Sequence, residues 1–129
     1  MNNKEKDLCD LLEEALRSSI YSNHPPYRIH AKIDDLGLSL CYRERKSAEN
    51  GQVSFDIQIV GDTCYLNWLF MLQNHARNGY ERALYLSLEK FCRKLKCSKI
   101  SLNESDDRYN FWMALGFKKE SHQSFVKEI

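Results

Sequence analysis

Apolar side chains recur along the chain with two periods, and the change from one period to the other marks the predicted elements. Near the N-terminus they recur every three to four residues, which predicts a one-sided helix over 5–20. Pro25 and Pro26 end this helix, because proline cannot continue it. The next segments alternate or are rich in β-branched and aromatic residues, and with turn-like residues between them they predict an antiparallel meander. The predicted strands are 27–33, 38–45, 52–60 and 63–72.

The helical period returns in the second half of the chain. Apolar positions spaced by three and four predict a helix over 79–96, followed by a short strand at 99–102. Ser105 or Asp106 is placed to cap a further helix through Leu115, and Gly116 follows where a left-handed residue is needed. The remaining residues predict a small hairpin that pairs 117–120 with 125–128.

Composition limits the kind of protein this is. The 129 residues, 43% of them hydrophobic, suit one domain with a full core. A formal charge of +1 gives no overall field that would recruit nucleic acid or an anionic membrane. Residues 77–99 include seven basic and two acidic side chains. Because aromatic residues are not interleaved with these charges for base stacking, the segment favours a solvated helix face over a nucleic-acid site.

Location and metal chemistry are predicted from what the sequence lacks. It has no apolar run near the roughly 20 residues that a bilayer span needs. Its N-terminus is charged and acidic where a signal peptide would be apolar, so we expect a cytoplasmic protein. Five cysteines without a CxxC pair argue against a disulfide framework or a structural zinc site and predict reduced, mostly buried thiols.

A polar loop with one glycine precedes the helix at 79–96. The first N–H groups of a helix are unpaired, so this loop is a candidate anion site, and Gly79 would let the backbone approach a phosphate closely. Arg77 and Arg82 favour an anion, whereas Glu81 places a negative charge beside it. The residues alone leave an anion site and a simple turn equally supported.

Two segments carry a resemblance to a known family. CYLNWLFML followed by HARNGYERAL, and then KISLNESDDRYNFWMALGF, resemble the fourth strand, pyrophosphate loop, fifth strand and following helix of the GNAT superfamily of acyl-CoA-dependent N-acetyltransferases. The resemblance covers 63–117 and implies a single GNAT-like α/β domain over 1–129, with a mixed, mostly antiparallel sheet and flanking helices. In this fold the chain passes from the fourth strand through the long helix to the fifth strand. A right-handed crossover of this kind requires a parallel contact between 63–72 and 98–102.

The resemblance also implies an activity. It is the transfer of an acetyl or related acyl group from acetyl-CoA to an unknown amine, with no metal. A backbone amide near Met71 would polarise the acyl carbonyl. The alternative is a catalytically impaired GNAT-fold protein that serves as a binding or interaction module. The residues implied to bind the acyl-CoA are Met71, Arg77, Asn78, Gly79, Tyr80, Glu81 and Arg82.

The sequence departs from the family pattern at three positions of this site. Ala76 replaces a Gln or Arg and Glu81 replaces a Gly or Ala, and both changes should weaken CoA binding. Trp112 stands where the family often has a tyrosine that protonates the thiolate, a role that indole cannot perform. Water or Tyr109, on roughly the same helix face, would have to substitute.

The acceptor side is less defined. The first helix precedes all strands, whereas the family places helices between its first two strands, so the pocket is expected to be shallow or completed by a partner, with a homodimer left open. The sequence singles out no general base among the candidates His75, Asn67, Asp56 and His30.

Overall fold

Three helices cover one face of a seven-stranded sheet in the computed structural model, which describes residues 1–19, 27–44, 54–70 and 79–129. A 3₁₀ turn at Asp106–Arg108 leads into the third helix. The helices are α1 (Asn3–Ser19), α2 (Tyr80–Lys94) and α3 (Tyr109–Ala114). The strands are β1 (Tyr27–Asp34), β2 (Gly37–Glu44), β3 (Ser54–Val60), β4 (Thr63–Phe70), β5 (Lys99–Asn103), β6 (Lys118–Ser121) and β7 (Ser124–Glu128).

The sheet is mixed and mostly antiparallel, with the order β1-β2-β3-β4-β5-β7-β6. Strands β1 to β4 form the predicted antiparallel meander. The chain then crosses through α2 to β5, which pairs parallel with β4 from Thr63↔Lys99 to Leu66↔Leu102. This parallel contact confirms the one that the sequence required. The C-terminal hairpin is also confirmed, and its second strand β7 inserts between β5 and β6.

The two faces of the sheet differ in chemistry. Alternate residues of β2 to β5 point under the helices, and Leu40, Ile57, Leu66 and Ile100 are buried there. The residues between them face the other way and include Ser39, Cys41, Asp56, Gln58 and Tyr65, all half-buried or exposed. The period-2 pattern therefore packs the core on one side and leaves a polar face on the other.

The start of the third helix differs from the prediction. The N-cap residue is neither Ser105 nor Asp106: Arg108 occupies this position and makes no side-chain cap hydrogen bond. The Ser105 hydroxyl donates instead to an Asp107 carboxylate oxygen at 3.4 Å, and a 3₁₀ turn intervenes. The end is as predicted, since Gly116 has a φ of 96° after the helix.

The five cysteines are free thiols, three of them buried. A hydrogen bond with Cys64, together with burial, raises the pKa of Cys92 and keeps this thiol neutral. None of the described helices has the length and apolar character needed to cross a membrane.

A buried ion pair between Glu89 and Lys127 joins α2 to the C-terminal strand β7. Burial alone would raise the pKa of Glu89, but hydrogen bonds from Lys127 at 2.8 Å and Arg93 at 2.6 Å hold this pKa below its usual 4.5. In the folded state Glu89 therefore binds fewer protons than in the unfolded state, and its stabilisation is complete above pH 4.5 and is lost as the pH falls. We expect Glu89→Gln to cost about 2 kcal/mol at neutral pH.

Urea unfolding of both proteins between pH 3 and pH 7 measures this effect. The difference between wild type and Glu89→Gln should shrink as the pH falls below 4.5. A difference that stays constant with pH would show that the pair with Lys127 does not stabilise the fold.

Candidate functional site

The N-terminus of α2 is built on a glycine in an unusual conformation. Gly79 takes the N-cap position with φ 69° and ψ 11°, in the left-handed region that other residues rarely adopt. A Cβ added there would meet nothing within 4 Å. The glycine is thus required by its backbone conformation, and the space above the first turn of α2 is open.

Glu81 points into the protein rather than toward that space. It is 7% exposed and forms an ion pair with Arg108 from the 3₁₀ turn. Residues three, four and seven positions further along α2 are the fully buried Leu84, Tyr85 and Leu88, so Glu81 extends the apolar stripe of the helix. Its negative charge is therefore neutralised largely by Arg108.

Arg108 is the centre of a small network. Its Nε lies 3.4 Å from an Oε1 of Glu104, and its guanidinium carbon lies 4.4 Å from the centre of the Phe111 ring. The second oxygen of Glu104 accepts a hydrogen bond of 2.5 Å from the indole N–H of Trp112. Burial raises the pKa of Glu104, against the lowering effect of Trp112, and burial lowers the pKa of Arg108. Both groups are thus held in a partly desolvated position between α2 and α3.

A pocket of about 220 Å³ opens beside this network. Phe111, Ala114 and Leu115 of the α3 segment form an apolar wall, and the exposed Arg82 supplies a cation. Three residues of the predicted acyl-CoA site line this pocket: Gly79, Glu81 and Arg82. An apolar wall next to a helix N-terminus suits a ligand that has both a hydrocarbon arm and an anionic group.

The second half of β4 stays paired with β3 but is no longer paired with β5. Within the described strands the β4–β5 pairing ends at Leu66 and Leu102, although β4 continues to Phe70. The register with β3 shifts at the same point, because Ile57 pairs with Leu66 and Asp56 with Trp68. Asn67 is therefore an extra residue in β4, and such bulges redirect side chains and backbone groups.

A second pocket, of about 250 Å³, lies on the open polar face of the sheet. Three of the four candidates for a general base line it: His30, Asp56 and Asn67. Arg43 holds the carboxylate of Asp56 through two hydrogen bonds of 2.9 and 3.2 Å. The pocket thus brings together residues that the sequence placed on three separate strands.

Two of the remaining predicted site residues, Tyr80 and Tyr109, lie in the described part of the chain. Tyr80 is the first residue of α2, whereas Tyr109 is 40% exposed and packs against Phe125 with 6.2 Å between ring centres. Tyr109 is not among the residues that line the pocket beside α2. Met71, His75, Ala76, Arg77 and Asn78 lie outside the described residues.

Sequence reasoning missed Arg108 and Glu104. A signal for them was present, because Glu81 falls on the same helix face as Leu84, Tyr85 and Leu88. A charge on an apolar stripe needs a buried partner of opposite sign. That partner, Arg108, lies 27 residues further along the chain, so the sequence predicted the sign of its charge but not its identity.

Among the residues that the structure describes, no group of three or more His, Cys, Asp or Glu side chains is arranged to hold a metal ion.

The described strands and helices form one α/β domain in which a pocket lies at the N-terminus of α2, and comparison with known proteins identifies its family. The model of the Acetyltransferase (GNAT) family matches residues 6–117, so the chain belongs to this family. No curated protein matches the sequence significantly. The predicted family and fold class are thereby confirmed.

Solved structures show the same fold at low sequence identity. An acetyltransferase from Streptococcus agalactiae is 19% identical with a TM-score of 0.60, over 70% of this chain and 67% of that chain. An acetyltransferase from Bacillus cereus is 12% identical with a TM-score of 0.58, over 96% and 90%. The PaiA N-acetyltransferase from Thermoplasma acidophilum, solved in complex with coenzyme A, is 16% identical with a TM-score of 0.53, over 95% and 92%.

Proposed function

We propose that this protein is an N-acyltransferase that transfers an acetyl or related acyl group from acyl-CoA to an amine. The observation that carries the proposal is the end of the β4–β5 ladder at Leu66 and Leu102, with one pocket that includes Asn67 just beyond it and a second pocket at the N-terminus of α2. A donor bound beside α2 and an acceptor bound on the open face would then meet along β4. Membership of the GNAT family supports the same reaction.

The pocket beside α2 fits the donor. The free N–H groups of the first turn and the cation of Arg82 suit a pyrophosphate, and the apolar wall with Phe111 suits a pantetheine arm. Open space above Gly79 leaves room for the phosphate. Arg77 and Asn78, just before the described part of the loop, are further proposed contacts. Acetyl-CoA, when bound, would supply the activated acyl group as a thioester.

The chain's own contribution to the chemistry is mainly one of position. A backbone amide near Met71, at the end of β4, is proposed to donate to the acyl oxygen. Holding acceptor and donor together gives most of the rate, because it removes the entropy cost of their encounter. Trp112 is buried with its N–H on Glu104, so the proton for the thiolate is proposed to come from water or Tyr109.

Titration calorimetry with CoA and acetyl-CoA tests the donor site. We expect weak binding to the wild type, detectable at millimolar CoA, and weaker binding to Gly79→Val. A branched side chain is strained at φ 69° and would fill the open space above the helix. Gly61→Val is the matched control, since Gly61 has a φ of 62° and an equally open Cβ position but lies in the turn before β4.

A binding module is the second candidate function. The pairing of Glu81 with Arg108 favours it, because this pair uses a cation that a phosphate would otherwise attract. If folded wild type and folded Glu81→Gly both fail to bind CoA at millimolar concentration, the acyltransferase proposal is wrong and the binding module replaces it.

A further inference from the structure

We propose that three side chains at the start of the chain form an edge guard, which blocks the outer edge of β1 from pairing with β1 of a second copy of this chain. The edge guard consists of Met1, Glu5 and Cys9, and it contacts backbone groups of β1 between Ile29 and Ile33. Pairing of two copies at this edge is independent of the proposed acyl transfer.

The outer edge of β1 is long enough to template another strand. β1 stands first in the strand order and has eight residues, whereas an average strand has about five or six. In an antiparallel pair only alternate residues exchange hydrogen bonds with the neighbouring strand. The contacts with the edge guard fall on alternate residues, Ile29, Ala31 and Ile33, so the N–H and C=O groups of these residues point away from β2. A row of such groups is a site on which a further strand can add.

Glu5 is the main member of the edge guard. It is 9% exposed, and its Oε2 accepts a hydrogen bond of 2.8 Å from the backbone N–H of Ile33. Hydrogen bonds from the backbone N–H groups of Asn2 and Ile33 lower the pKa of Glu5, so the acceptor is a carboxylate at neutral pH. Glu5 shares a helix face with the fully buried Leu12 and Leu16, where packing alone would favour an apolar residue.

Two sulfur atoms complete the edge guard. The Sδ of Met1 accepts from the N–H of Ala31 at 3.4 Å, and the thiol of Cys9 donates to the carbonyl oxygen of Ile29 at 4.0 Å. Burial raises the pKa of Cys9, so this thiol keeps the proton that it donates. Both are weak hydrogen bonds, but each sulfur occupies a position that an added strand would need.

The sequence of β1 favours a second copy as the added strand. A two-fold axis at Ala31 would place two β1 strands antiparallel, with Ala31 opposite its own counterpart and Ile29 opposite Ile33. These are the residues whose N–H and C=O groups point outward, so they would exchange the hydrogen bonds of a regular antiparallel pair.

The charges of β1 match the same register. On the open face the exposed Arg28 of each copy would lie opposite the exposed Asp34 of the other, and opposite charges across two strands stabilise their pairing. His30 would lie opposite Lys32, and a neutral imidazole is compatible with this cation. Two charge pairs thus favour the dimer once the edge guard is removed.

Sedimentation equilibrium of the full chain measures the dimer dissociation constant. We expect the wild type to stay monomeric at micromolar concentration and Glu5→Ala to lower the dissociation constant by about tenfold or more, because each copy loses the acceptor of the Ile33 N–H. Asn2→Ala is the matched control. It removes the side-chain oxygen that caps the Glu5 N–H at 2.8 Å but keeps the carboxylate on Ile33, so it should remain monomeric.

Charge reversals identify the partner strand and its register. In the Glu5→Ala background, Arg28→Glu places a carboxylate opposite Asp34 and should weaken the dimer by about tenfold or more, since two pairs are lost. Lys32→Glu reverses an equally exposed cation on the same strand but leaves the Arg28–Asp34 pairs intact. It should not weaken the dimer.

The outcomes separate clearly. If Glu5→Ala does not fold, Glu5→Gln takes its place: its neutral amide oxygen still accepts from Ile33, but more weakly than a carboxylate, so the dissociation constant should fall by a smaller factor. Folded Glu5 variants with the wild-type dissociation constant overturn the inference. A dimer that Arg28→Glu and Lys32→Glu weaken equally, or a wild type that dimerises as tightly as Glu5→Ala, overturns it as well.

Discussion

Trp112→Ala is expected to lower the free energy of unfolding by about 3 to 5 kcal/mol, the usual cost of removing a large buried aromatic side chain. Trp112 is 1% exposed and makes edge contacts with Tyr85, Phe111 and Phe117 at ring-centre distances of 5.9, 4.9 and 5.2 Å. Its removal would empty the space between α2 and α3 and would leave Glu104 without its indole donor. Urea or thermal unfolding, followed by circular dichroism, measures the loss.

Two variants separate packing from hydrogen bonding. Trp112→Phe keeps an aromatic ring and loses the N–H, so its cost should fall between those of wild type and Trp112→Ala. Met113→Ala, at the exposed neighbouring position on α3, should change stability by less than about 1 kcal/mol. A Trp112→Ala protein as stable as Met113→Ala would contradict the packing described for this helix.

Regular elements were predictable because their patterns are local. The alternation in β1 to β4 and the three-four spacing in α2 each involve residues that lie close in the sequence. The predicted helix over 79–96 is Tyr80–Lys94, and the strands agree within a few residues where they are described. The prediction failed at the start of α3, because Ser105 bonds locally to Asp107 and a 3₁₀ turn precedes the helix.

The site was predictable in part. The glycine before α2 and the candidate residues Asp56, Asn67 and His30 were found from the sequence, but the pocket that unites those three depends on the register of β1 to β4. The bulge at Asn67 shifts this register by one residue, and no turn residue in β4 indicates that a bulge occurs there. Register shifts of this kind arise from pairing between strands, so a single sequence does not show them.

Glu81 shows how a sequence argument changes once its partner is known. A carboxylate in the first turn predicts simple repulsion of a phosphate. In the structure the carboxylate is buried and paired with Arg108, so a substitution at Glu81 also changes what that guanidinium can bind. Glutamine is a better probe than glycine here, because it keeps the buried volume and avoids the roughly 1 kcal/mol that glycine costs a helix.

Glu81→Gln and Arg108→Gln are therefore expected to act in the same direction on stability and in opposite directions on CoA affinity. Each should cost about 3 kcal/mol of unfolding free energy, since removing one member of a largely buried ion pair takes a close counter-charge from the other. Glu81→Gln should tighten CoA binding about tenfold by removing one carboxylate that competes with a phosphate for Arg108, whereas Arg108→Gln should weaken binding by a similar factor.

The double variant decides whether the two residues act as one unit. Its stability should be higher than the sum of the single losses predicts, by an interaction energy of about 1 to 3 kcal/mol, because no unpaired charge remains between them. Its CoA affinity should match that of Arg108→Gln, since the effect of Glu81 acts through the guanidinium. Additive losses of stability, together with a CoA affinity that changes equally in both backgrounds, would show that Glu81 repels the ligand directly and that the pairing with Arg108 has no part in donor binding.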